Sequence, residues 1–198
     1  MPPPPSLPAS AWILVDQATG RTLAGKDVGV RVEPASLTKL MTAYAVFQAL
    51  RERKFALDTE VPISERAWRA EGSRTFVNVG SRVPVEVLIQ GMIVQSGNDA
   101  TIALAEAVAG TEETFAALMN QYSERLGMKD SHFENSTGLP GADHRMTVAD
   151  IARLTRAIIR EFPDYYRWYS QREFTWNGIK QPNRNGLLAR DPSVDGVK

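Results

Sequence analysis

Two short motifs carry hydroxyl, amine and amide side chains at spacings suited to acyl transfer. The segment Ser36-Leu37-Thr38-Lys39 places a serine and a lysine three positions apart, and Ser96-Gly97-Asn98 adds a second hydroxyl and a carboxamide. On a helix, residues three apart share a face, so Lys39 can reach the Ser36 hydroxyl and take its proton. A serine at a helix N-terminus also lies beside unpaired backbone N–H groups, which favour a developing oxyanion. These residues predict a serine nucleophile with a lysine base.

The other polar residues of these motifs have chemical uses of their own. A lysine acts as a base only in its neutral form, which burial or a second nearby cation would favour, and Lys198 is a candidate for that cation. The Ser96 hydroxyl can relay a proton, and the Asn98 amide can hold both a lysine ammonium and a substrate carbonyl. Each motif alone also fits a structural role, with Ser36 or Asn98 as an ordinary helix cap and Lys39 as an exposed cation. Their joint occurrence favours catalysis.

Length, charge and composition exclude several classes of function. The 198 residues are 43% hydrophobic, which is sufficient for one substantial core. Basic and acidic residues number 23 each, so the formal net charge is zero and a nucleic-acid partner is not expected. The chain has no cysteine, and His132 and His144 have no second ligand pair at a metal-like spacing. We expect both histidines to be surface or loop residues, and we expect no metal.

The start of the chain is rich in proline, with Pro2 to Pro5 and Pro8 following Met1. It has neither the basic nor the apolar region of a signal peptide, so we interpret residues 1–10 as an extended leader. The alternative is a start placed just after a removed signal. No apolar run approaches the length of about 18 residues that a membrane span requires. Residues 11–198 are expected to form one domain, incomplete after Lys198.

Apolar periodicity and turn residues predict the elements that would position these motifs. The pattern indicates a β-hairpin near the N-terminus, several amphipathic helices, and a strand followed by the turn dipeptide Asn177-Gly178. The predicted elements are strands at 11–15, 21–24 and 174–176, and helices at 36–50, 84–94, 99–109, 111–127 and 147–162. Ser36 then begins a helix, and Ser96-Gly97-Asn98 lies between two helices. Residues 194–198 would lead into a further strand, whose partners we expect after Lys198.

Beyond these motifs, the chain from about residue 11 to 198 resembles the low-molecular-mass D-alanyl-D-alanine carboxypeptidases, which are class C penicillin-binding proteins of type 5/6. A Ser-x-x-Lys, a Ser-x-Asn and a later Lys-Thr-Gly are the signature of penicillin-binding proteins and class A β-lactamases. In this chain only the lysine of the third motif, Lys198, is present. The resemblance rests on residues 34–42, 95–100, 120–127, 174–178, 183–188 and 194–198.

The resemblance implies an α/β (α+β) fold of the penicillin-binding-protein and β-lactamase type, in which an antiparallel sheet packs with a helical lobe. It implies that Ser36 is the nucleophile and Lys39 its base. Ser96 is then the proton relay, Asn98 the clamp on the substrate amide, and Lys198 a substrate-binding residue on the third-motif strand. It also implies that residues 68–79 border the site. No metal or organic cofactor is implied.

The activity implied is a serine-type D-Ala-D-Ala carboxypeptidase, which removes the terminal D-alanine from peptidoglycan stem peptides through an acyl-enzyme on Ser36. β-Lactam antibiotics would acylate the same serine. Family members are exported to the periplasm, and many are held at the outer face of the inner membrane by a C-terminal helix that follows a second, β-rich domain. A close variant is a D,D-endopeptidase that cuts cross-links in the same polymer.

The end of the sequence inside the third motif gives a further expectation. A chain that stops at Lys198 lacks the strand that completes the oxyanion hole, and losing even one oxyanion donor costs about 100- to 1000-fold in rate. We therefore expect a polypeptide ending there to be inactive unless the remainder is present. The alternative function is a non-catalytic remnant that binds peptidoglycan or a partner protein.

Overall fold

The computed structural model describes residues 6–197, which contain eight α-helices and six short strands. The helices are α1 (Lys39–Arg51), α2 (Glu65–Trp68), α3 (Val85–Val94), α4 (Asn98–Ala109), α5 (Glu112–Arg125), α6 (Val148–Glu161), α7 (Pro163–Tyr166) and α8 (Leu187–Arg190). The strands are β1 (Trp12–Val15), β2 (Thr22–Lys26), β3 (Glu60–Pro62), β4 (Arg82–Pro84), β5 (Glu173–Trp176) and β6 (Ile179–Pro182).

The strands of this part form three antiparallel pairs, β1 with β2, β3 with β4, and β5 with β6. The predicted N-terminal hairpin is confirmed, with an irregularity in its register between Leu14 and Val15. The strand predicted at 174–176 is also confirmed, as β5, and Asn177-Gly178 turns the chain into β6. Residues 194–197 lie outside any strand, and Lys198 lies outside the described residues.

α1 is the central helix of the helical lobe. Every residue from Lys39 to Leu50 is buried, and the Phe47 side chain is fully enclosed. A helix that is apolar on most of its surface must be surrounded, and α3, α4, α5 and α6 all contact α1. Burial of one large apolar side chain such as Phe47 contributes about 1.5–3 kcal/mol. The core therefore fixes the helix that begins beside Ser36.

Capping residues set the ends of the helices as the sequence predicts. Thr111 and Thr147 are the N-cap residues of α5 and α6, and each hydroxyl accepts a hydrogen bond of 3.1 Å from the backbone N–H three residues later. Gly110 ends α4 with φ of +82°, a conformation that favours glycine. Pro84, the first residue of the helix predicted at 84–94, instead ends β4 and is the N-cap of α3.

The aromatic residues after α6 pack against the core. Tyr165 stacks on Phe47 with ring centroids 4.9 Å apart and on Trp168 at 5.4 Å. Tyr169 is buried, and burial raises the pKa of its phenol far above the ordinary value. This cluster extends the hydrophobic core around the C-terminal end of α6.

Candidate active site

Ser36 lies in a 3-10 turn, Ala35–Thr38, that leads directly into α1. The predicted helix start is therefore a tighter turn than expected. Ala35 has φ of +46°, which is uncommon for a residue with a side chain. Lys39 is the first residue of α1 and donates a hydrogen bond from Nζ to Ser36 Oγ at 3.2 Å. The turn thus holds the hydroxyl and the amine in direct contact.

The Lys39 amine is buried and held by oxygen atoms from separate segments of the chain. The residue is only 3% exposed. Besides Ser36 Oγ, its Nζ donates to Asn98 Oδ1 at 2.6 Å and to the backbone carbonyl of Thr137 at 2.8 Å. These three contacts fix the position of the amine. The arrangement can move a proton from Ser36 to Lys39 when the amine is neutral.

Asn98 reaches the site because it begins α4, directly after the break that follows α3. Its Oδ1 accepts from Lys39, and its Nδ2 donates to the Glu71 carbonyl at 2.6 Å. Ser96 lies in the same break with φ of +61° and is buried. Its Oγ makes no hydrogen bond within residues 6–197, which is costly for a buried hydroxyl. Strained backbone and an unsatisfied hydroxyl of this kind cluster at functional sites.

The loop over residues 71–77 borders the site and is fixed by one buried carboxylate. Asp99 is fully buried, and its two oxygens accept hydrogen bonds from the backbone N–H groups of Thr75, Phe76 and Val77. The loop also packs closely on Gly97, because a Cβ at position 97 would lie only 2.8 Å from the backbone nitrogen of Thr75. The N-terminus of α4 therefore positions this loop as well as Asn98.

A turn over residues 135–138 supplies the Thr137 carbonyl that Lys39 contacts. Asn135 Oδ1 accepts from the backbone N–H groups of Thr137 and Gly138, at 3.2 and 2.7 Å. Buried Glu112 accepts from Ser136 through both its N–H and its hydroxyl. Gly138 has φ of +86°, and a Cβ there would overlap the Ala35 carbonyl. Glycine is thus required for this turn to approach the Ser36 turn.

His144 links the Ser36 turn to the segment that precedes the turn at 135–138. Its Nδ1 accepts from the Glu134 N–H at 3.1 Å, so the ring proton belongs on Nε2, which lies 2.8 Å from Thr38 Oγ1. Burial lowers the pKa of His144, in agreement with a neutral ring. The expectation of a surface or loop histidine is thus half right, because His144 lies in a loop but is buried.

A cleft of about 340 Å³ opens onto this arrangement. Its lining includes Ser36, Asn98, Gly72 and Thr137, and the apolar Leu139 and Pro140 form part of its wall. A hydroxyl, a buried amine and a carboxamide therefore meet at the edge of a space large enough for a small peptide segment. This combination can carry out nucleophilic acyl transfer with proton transfer to the amine.

The structure brings three of the five predicted site residues together, namely Ser36, Lys39 and Asn98. Ser96 lies in the same break as Asn98 without a hydrogen bond to the other site residues, and Lys198 lies outside the described residues. Sequence reasoning missed the Thr137 carbonyl and the role of His144. An Asn-Ser-Thr-Gly turn could have indicated the former, because its asparagine and glycine favour a tight turn. Within residues 6–197, no group of three acidic, histidine or cysteine residues is placed to hold a metal ion.

Comparison of the fold with solved structures places it among the penicillin-binding proteins. Penicillin-binding protein 5 of Haemophilus influenzae superposes with a TM-score of 0.96 at 40% identity, covering 99% of this chain and 58% of that one. Penicillin-binding protein 6B of Escherichia coli gives a TM-score of 0.90 at 42% identity, covering 94% and 61%. The predicted α/β penicillin-binding-protein fold is confirmed.

Sequence comparison then defines the family. The D-alanyl-D-alanine carboxypeptidase family model matches residues 1–198. D-alanyl-D-alanine carboxypeptidase DacD of Escherichia coli (strain K12) is 42% identical over 204 residues, covering 100% of this chain and 53% of the relative. DacA of the same strain is 41% identical over 201 residues, covering 98% and 50%. The chain belongs to the D-alanyl-D-alanine carboxypeptidase family, and it spans about half the length of these relatives.

Proposed function

We propose that this protein is a serine-type D-Ala-D-Ala carboxypeptidase that removes the terminal D-alanine from peptidoglycan stem peptides. The observation that carries the proposal is the contact of the buried Lys39 amine with Ser36 Oγ at 3.2 Å. Family membership supports the reaction, and the acyl-transfer geometry of the cleft supports the nucleophile. Residues 11–198 are assigned to the catalytic domain.

In the first half of the reaction, Ser36 Oγ attacks the carbonyl carbon of the penultimate D-alanine while its proton passes to neutral Lys39. The tetrahedral intermediate collapses and the bond to the terminal D-alanine breaks. The leaving amine takes the proton that Lys39 holds, and Lys39 becomes neutral again. The product is an ester on Ser36 and free D-alanine. In the second half, water gives a proton to neutral Lys39 and attacks the ester carbon. The bond from that carbon to Ser36 Oγ breaks, and Oγ takes the proton back from Lys39, which releases the shortened peptide and restores the Ser36 hydroxyl.

The remaining residues have supporting roles in this proposal. The Asn98 amide orients the Lys39 amine and contacts the substrate amide, and both functions fit its position at the edge of the cleft. Ser96 relays the proton to the leaving amine, and its unsatisfied hydroxyl agrees with a group that finds its partner only in the substrate complex. Lys198, which lies outside the described residues, is proposed to bind the substrate.

The same path accounts for β-lactams as inhibitors, since a β-lactam would acylate Ser36 and remain as an ester. The proposed substrate, peptidoglycan, supports a location in the periplasm, at the outer face of the inner membrane. Within residues 6–197, none of the helices combines the length and apolar character needed to cross a bilayer.

The test is covalent labelling of the full-length gene product with a fluorescent penicillin, followed by peptide mapping. We expect one adduct on Ser36, its loss in Ser36→Ala, and unchanged labelling in the control Ser170→Ala, which alters an exposed serine that does not line the cleft. The wild-type protein should release D-alanine from diacetyl-L-Lys-D-Ala-D-Ala, whereas Ser36→Ala should not. An adduct that persists in Ser36→Ala would place the nucleophile elsewhere. Cleavage of cross-linked muropeptides without release of D-alanine would assign an endopeptidase.

A further inference from the structure

A second groove, with a volume of about 620 Å³, shares no lining residue with the Ser36 cleft. It lies between the β1–β2 hairpin and the helices α1, α5 and α6. We call it the arginine groove, because five arginines line it: Arg51, Arg125, Arg153, Arg156 and Arg160. The proposed carboxypeptidase reaction uses none of them.

The charge of the arginine groove is strongly positive although the whole chain is neutral. Among the residues of 6–197 that line it, Glu161 is the only acidic one, so five arginines against one glutamate give a net charge of +4. Glu161 is already engaged, since it accepts from the Tyr44 hydroxyl at 2.9 Å and pairs with Arg160 at 2.9 Å and Arg51 at 4.0 Å. Little negative charge therefore remains for the other arginines.

Three of the arginines are oriented by uncharged groups. Within residues 6–197, Arg125, Arg153 and Arg156 form no ion pair. Arg153 donates to the Gly127 carbonyl at 2.8 Å, Arg156 donates to the Gln17 carbonyl at 3.0 Å, and Arg125 lies 5.3 Å from the centre of the Tyr122 ring. Each guanidinium has five N–H donors, so a single carbonyl contact orients the group and leaves donors for a ligand.

The groove is also built to accommodate a guanidinium at the hairpin. Gly20 has φ of +78°, and a Cβ there would lie 2.6 Å from Arg156 Cζ. Asp16 in the same turn accepts hydrogen bonds from the N–H and the hydroxyl of Thr19. These bonds lower the pKa of the Asp16 carboxyl more than the charge of Arg156 does. The floor is polar and buried, with Gln48 Nε2 donating to the Tyr44 hydroxyl at 2.9 Å. This is a preformed polar site.

We propose that the arginine groove binds a soluble ligand that carries adjacent phosphate groups. Guanidinium groups match phosphate oxygens in bidentate geometry, and a ligand with several negative charges in a small volume is needed to balance a charge of +4. A single carboxylate would leave most of this charge unbalanced. The groove is recessed between a hairpin and three helices, which favours a ligand that enters it over the flat surface of a membrane.

The probe is inorganic tripolyphosphate, titrated calorimetrically into the full-length protein at low ionic strength. We expect one saturable site, whose affinity falls at least 10-fold in Arg153→Gln/Arg156→Gln and also falls as salt rises. The matched control Arg172→Gln/Arg190→Gln removes the same charge from residues outside the groove and should bind as wild type does. Ser36→Ala should also bind normally, which separates this proposal from the proposed reaction.

Two outcomes would overturn the proposal. One is the absence of saturable binding to tripolyphosphate, including the case in which the protein binds only to phosphatidylglycerol vesicles. The other is equal loss of affinity in the groove variant and in the control variant, which would indicate a general charge effect. If Arg153→Gln/Arg156→Gln loses its cooperative thermal transition, Arg125→Gln/Arg153→Gln replaces it, because neither of those side chains packs on Gly20.

Discussion

Replacement of Asn98 tests whether the contacts of the Lys39 amine control acylation. The Asn98 side chain makes two hydrogen bonds of 2.6 Å, accepting from Lys39 Nζ and donating to the Glu71 carbonyl. Asn98→Ala removes both, and with a neutral Lys39 amine each bond contributes about 0.5–1.5 kcal/mol. We expect the free energy of unfolding to fall by about 1–3 kcal/mol in urea denaturation.

Asn98→Asp separates catalysis from stability, because it keeps an oxygen beside Lys39 and adds a negative charge. A carboxylate within contact distance favours the ammonium form of a lysine by about 1–3 pH units. If neutral Lys39 is the base, the rate of acylation by a fluorescent penicillin at neutral pH should fall about 10- to 1000-fold in Asn98→Asp. Its dependence on pH should move upward by the same 1–3 units.

Asn120 provides the matched control for these variants. Its amide also makes two hydrogen bonds, both to the backbone of Phe133 at 2.8 and 2.9 Å, and Asn120 is not part of the cleft lining. Asn120→Ala should lose about 1–3 kcal/mol of stability with no change in the pH dependence of acylation. An Asn98→Asp profile that coincides with the wild-type profile would refute the assignment of Lys39 as the controlling base.

Two further predictions concern the supports of the Ser36 turn. Gly138→Ala should destabilise the protein by about 1–3 kcal/mol more than Gly110→Ala. Both glycines have positive φ, but only a Cβ at position 138 would overlap the backbone, at Ala35. Equal losses of unfolding free energy in urea denaturation would contradict this. Burial lowers the pKa of His144, so as the pH falls through 6.5 the unfolded chain takes up this proton before the folded chain does. Stability should therefore fall as pH drops below about 6.5, by up to about 1.4 kcal/mol per pH unit, and His144→Gln should lack this component in denaturation curves recorded from pH 7 to 5.

The helices were predictable because local signals agreed with the apolar pattern. Thr111 and Thr147 mark the starts of α5 and α6 by their side chains alone, and Gly110 marks the end of α4. The short pair β3–β4 was not predictable, because each strand has three residues and its partner lies about twenty positions away. A pairing of this kind depends on packing across the chain, which periodicity in a short window does not report.

The candidate site was predictable as far as it depends on side chains in motifs. Ser36, Lys39 and Asn98 were found from residue type and spacing, and the structure brings them into contact. The Thr137 carbonyl could not be found in this way, because every residue has a carbonyl and only the fold decides which one meets Lys39. The Ser36 turn shows the same limit, because residue spacing predicts a helix start there and does not report the close approach of Gly138 to Ala35.

The position of the Lys39 amine depends on two buried carboxylates that do not contact it in the described hydrogen bonds. Asp99 holds the loop at 71–77 beside Asn98, and Glu112 holds Ser136 and so the neighbouring Thr137 carbonyl. A displacement of a catalytic group by about 1 Å can lower the rate 100-fold. The geometry of the site therefore depends on the positions of these two carboxylates. Each satisfies backbone or hydroxyl donors that would otherwise be buried without a partner. In the proposed mechanism, the rate of acylation therefore depends on the N-termini of α4 and α5 as much as on the Ser-x-x-Lys turn.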